Sequence, residues 1–538
     1  MASKVGTQLR DSVTIVGGGI AGMTAALKLL KAGVNVELYE SRDTLGGKFA
    51  SVYAQGSYHE HAYHFLADWC QNFWAICEEI GVSQDAFEQR PAYVFLRRGE
   101  FPNTTAISNL SSPERIWTNL YSGVLPWYEM LLYVYSMLDL LLDNLNYDDT
   151  RRRFLNRISI NGYIASRPYA TDAAALMHQN VMLRAFASPS YRTSARSYRN
   201  FLKYAFGSPN PNFFALASDT ETGFFKPFVQ TLEDLGRTGG PSFKLHAGKS
   251  LTRLGLDTEA GQPRISHIEV CDTGSTSGEC VPVQSLIVAI PPDNLFDVIR
   301  SDQALYQVAP ALFDVQKLNS LPMASLDLFL HRKLPDMPAE HVTLIDTVDE
   351  MLKPEFRSRY SLSLLDNSQL WRSTDAGHRN TFLNIVAADY SNLAHLGDDV
   401  AQRILIEEVM KYLPIQSGDI DWDKTHFTSN VDAPLFLNEV GTWEWRPEAT
   451  TTIQNLFIAG DYCKTEADIV SLESAVESAI VAAQAACASL PGAQKFQTIE
   501  APRELKTPDF DQLLGLRRIL APWIPSAQRA SQMQLKRP

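Results

Sequence analysis

Residues 13–30 read VTIVGGGIAGMTAALKLL, and no other stretch limits the possible folds of this chain so tightly. Val13 to Val16 is a short, β-branched apolar run, the pattern of a strand buried inside a parallel sheet. Gly17, Gly19 and Gly22 then fit G-x-G-x-x-G. The first glycine allows a tight turn, the second lets backbone approach a pyrophosphate, and the third lets the following helix pack closely on the strand. That helix starts at Ile20 and Ala21 and presents unpaired N–H groups and its positive dipole end to phosphate. A second strand, Asn35 to Tyr39, ends in Glu40, whose carboxylate can accept hydrogen bonds from ribose hydroxyls. Strand, turn, helix and acid together predict a dinucleotide site.

At 538 residues, with 45% hydrophobic content, the chain has room for two to four domains or two large interleaved ones. A net charge of −13 argues against a general nucleic-acid binder. Cys70, Cys77, Cys271, Cys280, Cys463 and Cys487 are scattered without a CxxC pair, so neither a zinc site nor a redox dithiol is expected. Sparse cysteine use and a polar Met1 to Arg10 leading straight into the first strand predict a cytoplasmic protein.

After Glu40, the segment Ser41 to Lys48 carries Gly46, Gly47 and two cations, Arg42 and Lys48, suited to a cofactor's phosphates. His59, His61 and His64 follow. As a strand they would fall on two faces, and nothing elsewhere completes a metal site, so the expectation is a loop packed beside the cofactor with no metal. Ile116 to Leu145 is dense in large apolar residues but too short in its uncharged run to span a bilayer. It predicts a helix that is buried or lies in a membrane interface, with Arg151 to Arg153 as a solvated turn. Ser285 to Ile290 reads as another parallel strand, Met323 to Leu330 as an alternating strand, and Phe510 to Ile524 as an amphipathic helix on the body or on a membrane. Trp443 and Trp445 fit either core packing or a pocket wall.

Far downstream, Leu456 to Asp461 forms a strand ending in Gly460 and an acid, and Ser471 to Ala486 an Ala-rich helix. A second acid and a second helix N-terminus suit FAD. Its ribityl chain and flavin extend beyond the first fingerprint and need another anchor.

Gly17, Gly19, Gly22, Glu40, Gly46-Gly47-Lys48 and Phe457 to Asp461 together resemble the flavin amine oxidase and phytoene desaturase superfamily. Leu321 to Leu334 is similar to its plant and cyanobacterial carotenoid desaturase branch, and the likeness runs over about residues 11–490. The resemblance implies an α/β fold. A Rossmann-type FAD-binding domain would be assembled from residues 11–95, 222–300 and 450–490, with an inserted α+β substrate domain from 96–221 and 301–449, and a tail, 491–538, carrying an amphipathic helix. It implies that Gly17, Gly19, Ile20, Ala21, Gly22, Glu40, Ser41, Gly46, Gly47 and Lys48 hold the ADP side of FAD, that Gly460 and Asp461 meet the ribityl or pyrophosphate region, and that the Leu472 backbone faces the flavin pyrimidine edge. His64 is the candidate group near the flavin. Departures from the family pattern are Ser474 and Ala479 where it has glycines, Ala62 for the glycine of Asp-x-Gly-x-His, and Arg446-Pro447-Glu448 before the last strand.

The leading expectation is an FAD-dependent desaturase or dehydrogenase. It would act by hydride transfer on a lipophilic polyene, isoprenoid or fatty acyl substrate, with a quinone or oxygen as electron acceptor and peripheral contact with the inner face of a membrane. The alternatives are a redox-neutral isomerase or dehydroxylase, an amine oxidase, and a non-catalytic FAD- or lipid-binding protein. An amine oxidase of this superfamily commonly has a lysine near the flavin on the strand matching Met323 to Leu330; this one has none.

Overall fold

Five parallel strands run in the order Phe243–His246, Asn35–Tyr39, Ser12–Val16, Ser285–Val288 and Leu456–Ile458. They belong to a computed structural model that describes residues 11–90, 92–108, 113–143, 149–208, 213–237, 239–258, 261–275, 277–345, 360–372 and 380–524. The sheet joins strands both near and far in the chain: Val13 lies opposite Val36 on one side and Ser285 on the other, and Ile287 lies opposite Phe457. Val13, Ile15, Val36, Leu38, Leu286 and Ile287 are fully buried, as strands covered on both faces require. One cover is the helix Ile20–Ala32, which packs on the helix Leu472–Ala488. Their contact is rich in alanine (Ala25, Ala26, Ala479, Ala482 and Ala483 are all buried), which lets the two backbones come close. Gly33 ends the first helix in the left-handed conformation, φ 95°, and its N–H closes onto Leu30.

A second, seven-stranded sheet has the order His426–Ser429, Ala324–Phe329, Phe382–Ala387, Leu362–Asp366, His341–Ile345, Ala92–Arg97 and Thr104–Ser108. All its pairings are antiparallel except that of His341–Ile345 with Ala92–Arg97. Ala324–Phe329 alternates in residue type as expected, yet every residue in it is buried. Leu326 and Leu328 join a core with Leu405 and Val409. On the opposite face, Asp327 is enclosed by His59 (Nδ1 to Oδ2, 2.9 Å) and by Asn384, whose amide donates at 2.6 Å. Polar alternation here marks a hydrogen-bonded buried face rather than a solvated one.

Within the apolar segment 116–145, the helix Trp127–Leu142 is buried over most of its length, with Leu138, Leu140 and Leu141 fully enclosed, whereas Trp117, Tyr121 and Trp127 are exposed; residues 144 and 145 lie outside the described residues. Its carboxylates are bonded: Glu129 accepts from Thr171, and Asp139 from Tyr169 at 2.7 Å. Arg151 to Arg153 lie inside the helix Asp149–Asn156, not in a turn; Arg152 and Arg153 are exposed. The tail helix Phe510–Leu520 docks on Trp127–Leu142, where Arg517 reaches Asp139. Among the described residues, no helix is long and apolar enough to cross a membrane. All six cysteines are free thiols.

Candidate active site

The carboxyl ends of the parallel strands open onto a cavity of about 760 Å³. Gly17 turns the chain out of the first strand with φ 106°, and a Cβ there would fall 2.4 Å from the Ala289 carbonyl oxygen. Gly19 is the N-cap of Ile20–Ala32. A Cβ on it would meet nothing closer than the Gly47 Cα at 3.9 Å, so its open side is the cavity. Gly17, Gly19, Ile20, Ala21, Glu40, Ser41, Gly46, Gly47, Lys48, Gly460, Asp461 and Leu472 all line this one space, as does His64. Gly22 does not. Its missing Cβ would sit 1.8 Å from the Gly17 oxygen, so it serves the packing of helix on turn.

Glu40 is fixed at its strand end. One carboxylate oxygen accepts from the Gly18 N–H at 2.6 Å, the other from the Arg42 N–H at 2.8 Å and the Ser41 hydroxyl at 3.1 Å. Each oxygen has two lone-pair sites, so Oε2 keeps capacity toward the cavity. The two cations also line the cavity. Lys48 Nζ donates to the Pro434 carbonyl at 2.8 Å, which leaves it two further donors, and Arg42 reaches the Gly47 carbonyl of its own loop at 3.4 Å.

At the other end, Gly460 (φ 155°) donates its N–H to Ser478 Oγ at 2.9 Å, and a Cβ on it would run into the Tyr462 ring. The loop from Asp461 to Ser471 folds around a buried ion pair, Arg446 to Asp468. Arg446 also donates to the carbonyls of Tyr462 (2.9 Å) and Cys463. Ser474, in place of the family's glycine, is absorbed by this loop: its hydroxyl donates to the Ile469 carbonyl at 2.7 Å and accepts from Thr465 at 3.2 Å. Glu473 faces away from chemistry. It accepts from the backbone N–H groups of Asn72 and Phe73 at 3.0 and 2.9 Å and so caps the helix Gln71–Glu79. Burial pushes its pKa up to about 7.

Between the ends stand His61 and His64, with ring centroids 5.2 Å apart. The expected loop forms only over residues 61–64, because His59 ends up inside the strand Ser57–Glu60 and Phe65 opens the strand Phe65–Ala67. His59 is separated from the other two and bonds Asp327 instead. Burial, then Lys48 and Arg42, press the His61 pKa down to about 4. Burial and His61 take His64 well below the usual histidine range. Both rings are neutral at pH 7, and His64 packs edge-on against Phe49 at 4.5 Å. No metal-binding cluster occurs among the described residues.

Beyond His64 the wall turns apolar, with Phe65, Leu66, Phe186, Phe201, Phe213 and Met323. Tyr63, Arg184 and His341 add polar atoms that sequence reasoning did not single out. His341 joins Tyr63 from 278 residues away, and neither carries a motif of its own. Trp443 and Trp445 do not line the cavity. Trp443 stacks under the Arg196 guanidinium at 3.6 Å, and Trp445 under Lys317 at 3.4 Å.

These features fit FAD. A glycine cradle and Glu40 lie at one end. Asp461 and the N-terminus of a long helix lie at the other, and the buried Tyr462 hydroxyl beside Asp461 has no partner among the described residues. Comparison with known proteins agrees. Residues 20–487 match the family described as flavin containing amine oxidoreductase. A probable zeta-carotene desaturase of Synechococcus elongatus is 22% identical, covering 88% of this chain and 98% of its own. A 15-cis-phytoene desaturase of the same organism is also 22% identical, over 88% of this chain and 95% of its own. Among solved structures, a putative protoporphyrinogen oxidase from Exiguobacterium aligns with a TM-score of 0.61 at 18% identity, covering 90% of this chain and 100% of that one, a likeness of fold. The chain belongs to the flavin containing amine oxidoreductase family, and it is an FAD-dependent oxidoreductase.

Proposed function

We propose that the protein dehydrogenates a lipophilic substrate, such as a polyene, isoprenoid or fatty acyl lipid, and passes the electrons to a quinone or oxygen. The observation that carries this reading is the continuity of the cavity, from the glycine cradle past His64 into a wall of Phe65, Leu66, Phe186, Phe201 and Phe213. Bound FAD supplies the hydride acceptor. The protein's part is to hold and exclude. Gly19, Gly47 and the amide end of Ile20–Ala32 take the phosphates, Glu40 the ribose, Asp461 the ribityl chain, and the Leu472 backbone the flavin edge. Residues 11–95, 222–300 and 450–490 are assigned to the FAD-binding domain, and 96–221 with 301–449 to the substrate domain. His64, neutral and a poor base at pH 7, is assigned a place in the wall near the flavin. Relatives named zeta-carotene and phytoene desaturases support the substrate class. The strand Ala324–Phe329 has no lysine, which weighs against amine oxidation.

Peripheral membrane contact belongs to the same proposal. Trp117, Tyr121, Trp127, Ile519 and Trp523 are exposed on or beside three elements that pack in succession, Pro113–Leu120, Trp127–Leu142 and Phe510–Leu520. Aromatic rings with one polar edge suit a lipid interface. The test of the reaction is anaerobic mixing of the yellow holoprotein with polyenes, isoprenoids, acyl lipids or amines. Bleaching by a lipid supports the reading; bleaching by amines alone overturns it.

A further inference from the structure

Tyr63 stands where the cavity changes from cofactor cradle to apolar wall. Its phenol oxygen is 2.7 Å from His341 Nε2 and also bonds Ser363 Oγ. The direction of these bonds follows from who else is present. His341 Nδ1 is buried and has no partner among the described residues. A buried N–H without an acceptor is costlier and rarer than an unfilled acceptor, so the neutral ring keeps its proton on Nε2 and donates it to Tyr63. Burial depresses the His341 pKa to about 3, which keeps the ring neutral. Either hydroxyl could donate in the Tyr63–Ser363 bond, but Ser363 is fully enclosed with no other partner among the described contacts, whereas Tyr63 borders the cavity; the arrangement that strands no proton in the interior has Ser363 donating to the phenol oxygen. Both lone pairs of Tyr63 are then filled, and neither neighbour can take its own proton.

We infer that Tyr63 donates its phenolic proton into the cavity, to an acceptor oxygen on the substrate, and that the substrate is an apolar molecule carrying one such oxygen. This rests on the lipophilic-substrate reading and narrows it, because a pure hydrocarbon would leave a donor unpaired in an apolar site. Tyr63 is held for the task from its backbone as well: its N–H donates to Asn384 Oδ1 at 3.1 Å, and Asn384 is itself fixed by Asp327. The His341 ring is wedged edge-on among Tyr63, Phe65 and Tyr93, with centroids 5.2 to 5.8 Å apart, so the pair has little freedom to turn.

The experiment titrates FAD-loaded protein with a long-chain methyl ketone and with the n-alkane of equal length, in the same detergent, reading the perturbation of the flavin absorbance. The ketone accepts hydrogen bonds and donates none. Wild type is expected to bind the ketone about tenfold tighter, the weight of one net hydrogen bond. Tyr63→Phe should lose that preference while keeping its alkane affinity and its flavin content. Ser363→Ala, which leaves the donor in place, should keep the preference. Equal binding of both ligands by wild type, or a preference that survives in Tyr63→Phe, overturns the inference and leaves the lipophilic reading standing. Failure of both ligands to bind overturns the two together.

Discussion

The guanidinium of Arg446 and the carboxylate of Asp468 meet at 2.5 Å with neither side chain more than 1% exposed. Asp468 also accepts from Arg196 at 2.8 Å and from Asn200 at 3.3 Å, and it is held at φ 48°. This knot closes the loop that carries Asp461 and Tyr462, so it sets the far wall of the cofactor cavity from outside. A buried pair can be near neutral in net stability, but removal of one partner strands the other charge. Asp468→Asn should therefore cost about 3–5 kcal/mol of stability and release FAD. Denaturant unfolding and flavin per chain measure the two effects. An unchanged midpoint would refute the assignment.

Glu473 gives the protein a pH dependence of definite sign. Its folded pKa is raised from 4.5 to about 7, first by burial, against the pull of the Asn72 and Phe73 N–H groups. A carboxyl with a raised folded pKa stabilises most below its unfolded pKa, and that stability is lost as pH rises through the folded value. The protein should thus lose on the order of 3 kcal/mol from this group between pH 4.5 and pH 7. Glu473→Gln should flatten that part of the profile while the helix Gln71–Glu79 stays in place. Unfolding free energies across this pH range check it, and an identical slope in the variant would show that another group is responsible.

The cofactor half of the cavity was legible because its information is local. Gly17, Gly19 and Glu40 are required by a turn, a close approach and a strand end, each set within a few residues of sequence, and Asp461 repeats the device. What those signals could not carry was long-range. Tyr63 and His341 are separated by 278 residues, and neither has a motif of its own. His59 read as a neighbour of His61 and His64 until the second sheet brought Asp327 against it. The bond from Lys48 to the Pro434 carbonyl spans 386 residues and had no sequence signal. Arg151 to Arg153 looked like a turn because charge dominates the pattern, whereas they belong to the short helix Asp149–Asn156, with Arg152 and Arg153 exposed.

The exposed aromatic residues beside the tail helix predict a measurable lipid affinity. Trp523 and Ile519 are 66% and 67% exposed, and Trp117 is 56% exposed. Buried in an acyl boundary, each would contribute about 2 kcal/mol. The double variant Trp117→Ala, Trp523→Ala should float with vesicles at least tenfold less than wild type, without loss of flavin. Deletion of the whole tail is a poorer test, because Phe510–Leu520 covers part of Trp127–Leu142 and Arg517 pairs with Asp139. Absence of wild-type flotation would remove membrane contact from the proposal and leave the site chemistry untouched.

Gly19 and Gly22 separate cofactor binding from folding within one motif. A methyl on Gly22 would sit 1.8 Å from the Gly17 oxygen, a distance no side-chain shift can relieve, because both partners are backbone. Gly22→Ala should force the helix off the turn, cost several kcal/mol as overpacked cores do (about 1–3 or more), and abolish FAD binding as a consequence. A methyl on Gly19 meets only the Gly47 Cα at 3.9 Å, ordinary contact, and the extended backbone there (φ −75°) tolerates any residue. What that methyl does enter is the cavity. Gly19→Ala should therefore unfold within about 0.5–1 kcal/mol of wild-type apoprotein, yet hold FAD at least tenfold more weakly. Urea unfolding of apoprotein alongside FAD titration distinguishes the two. Equal FAD affinity in Gly19→Ala would mean that the pyrophosphate lies elsewhere in the cavity.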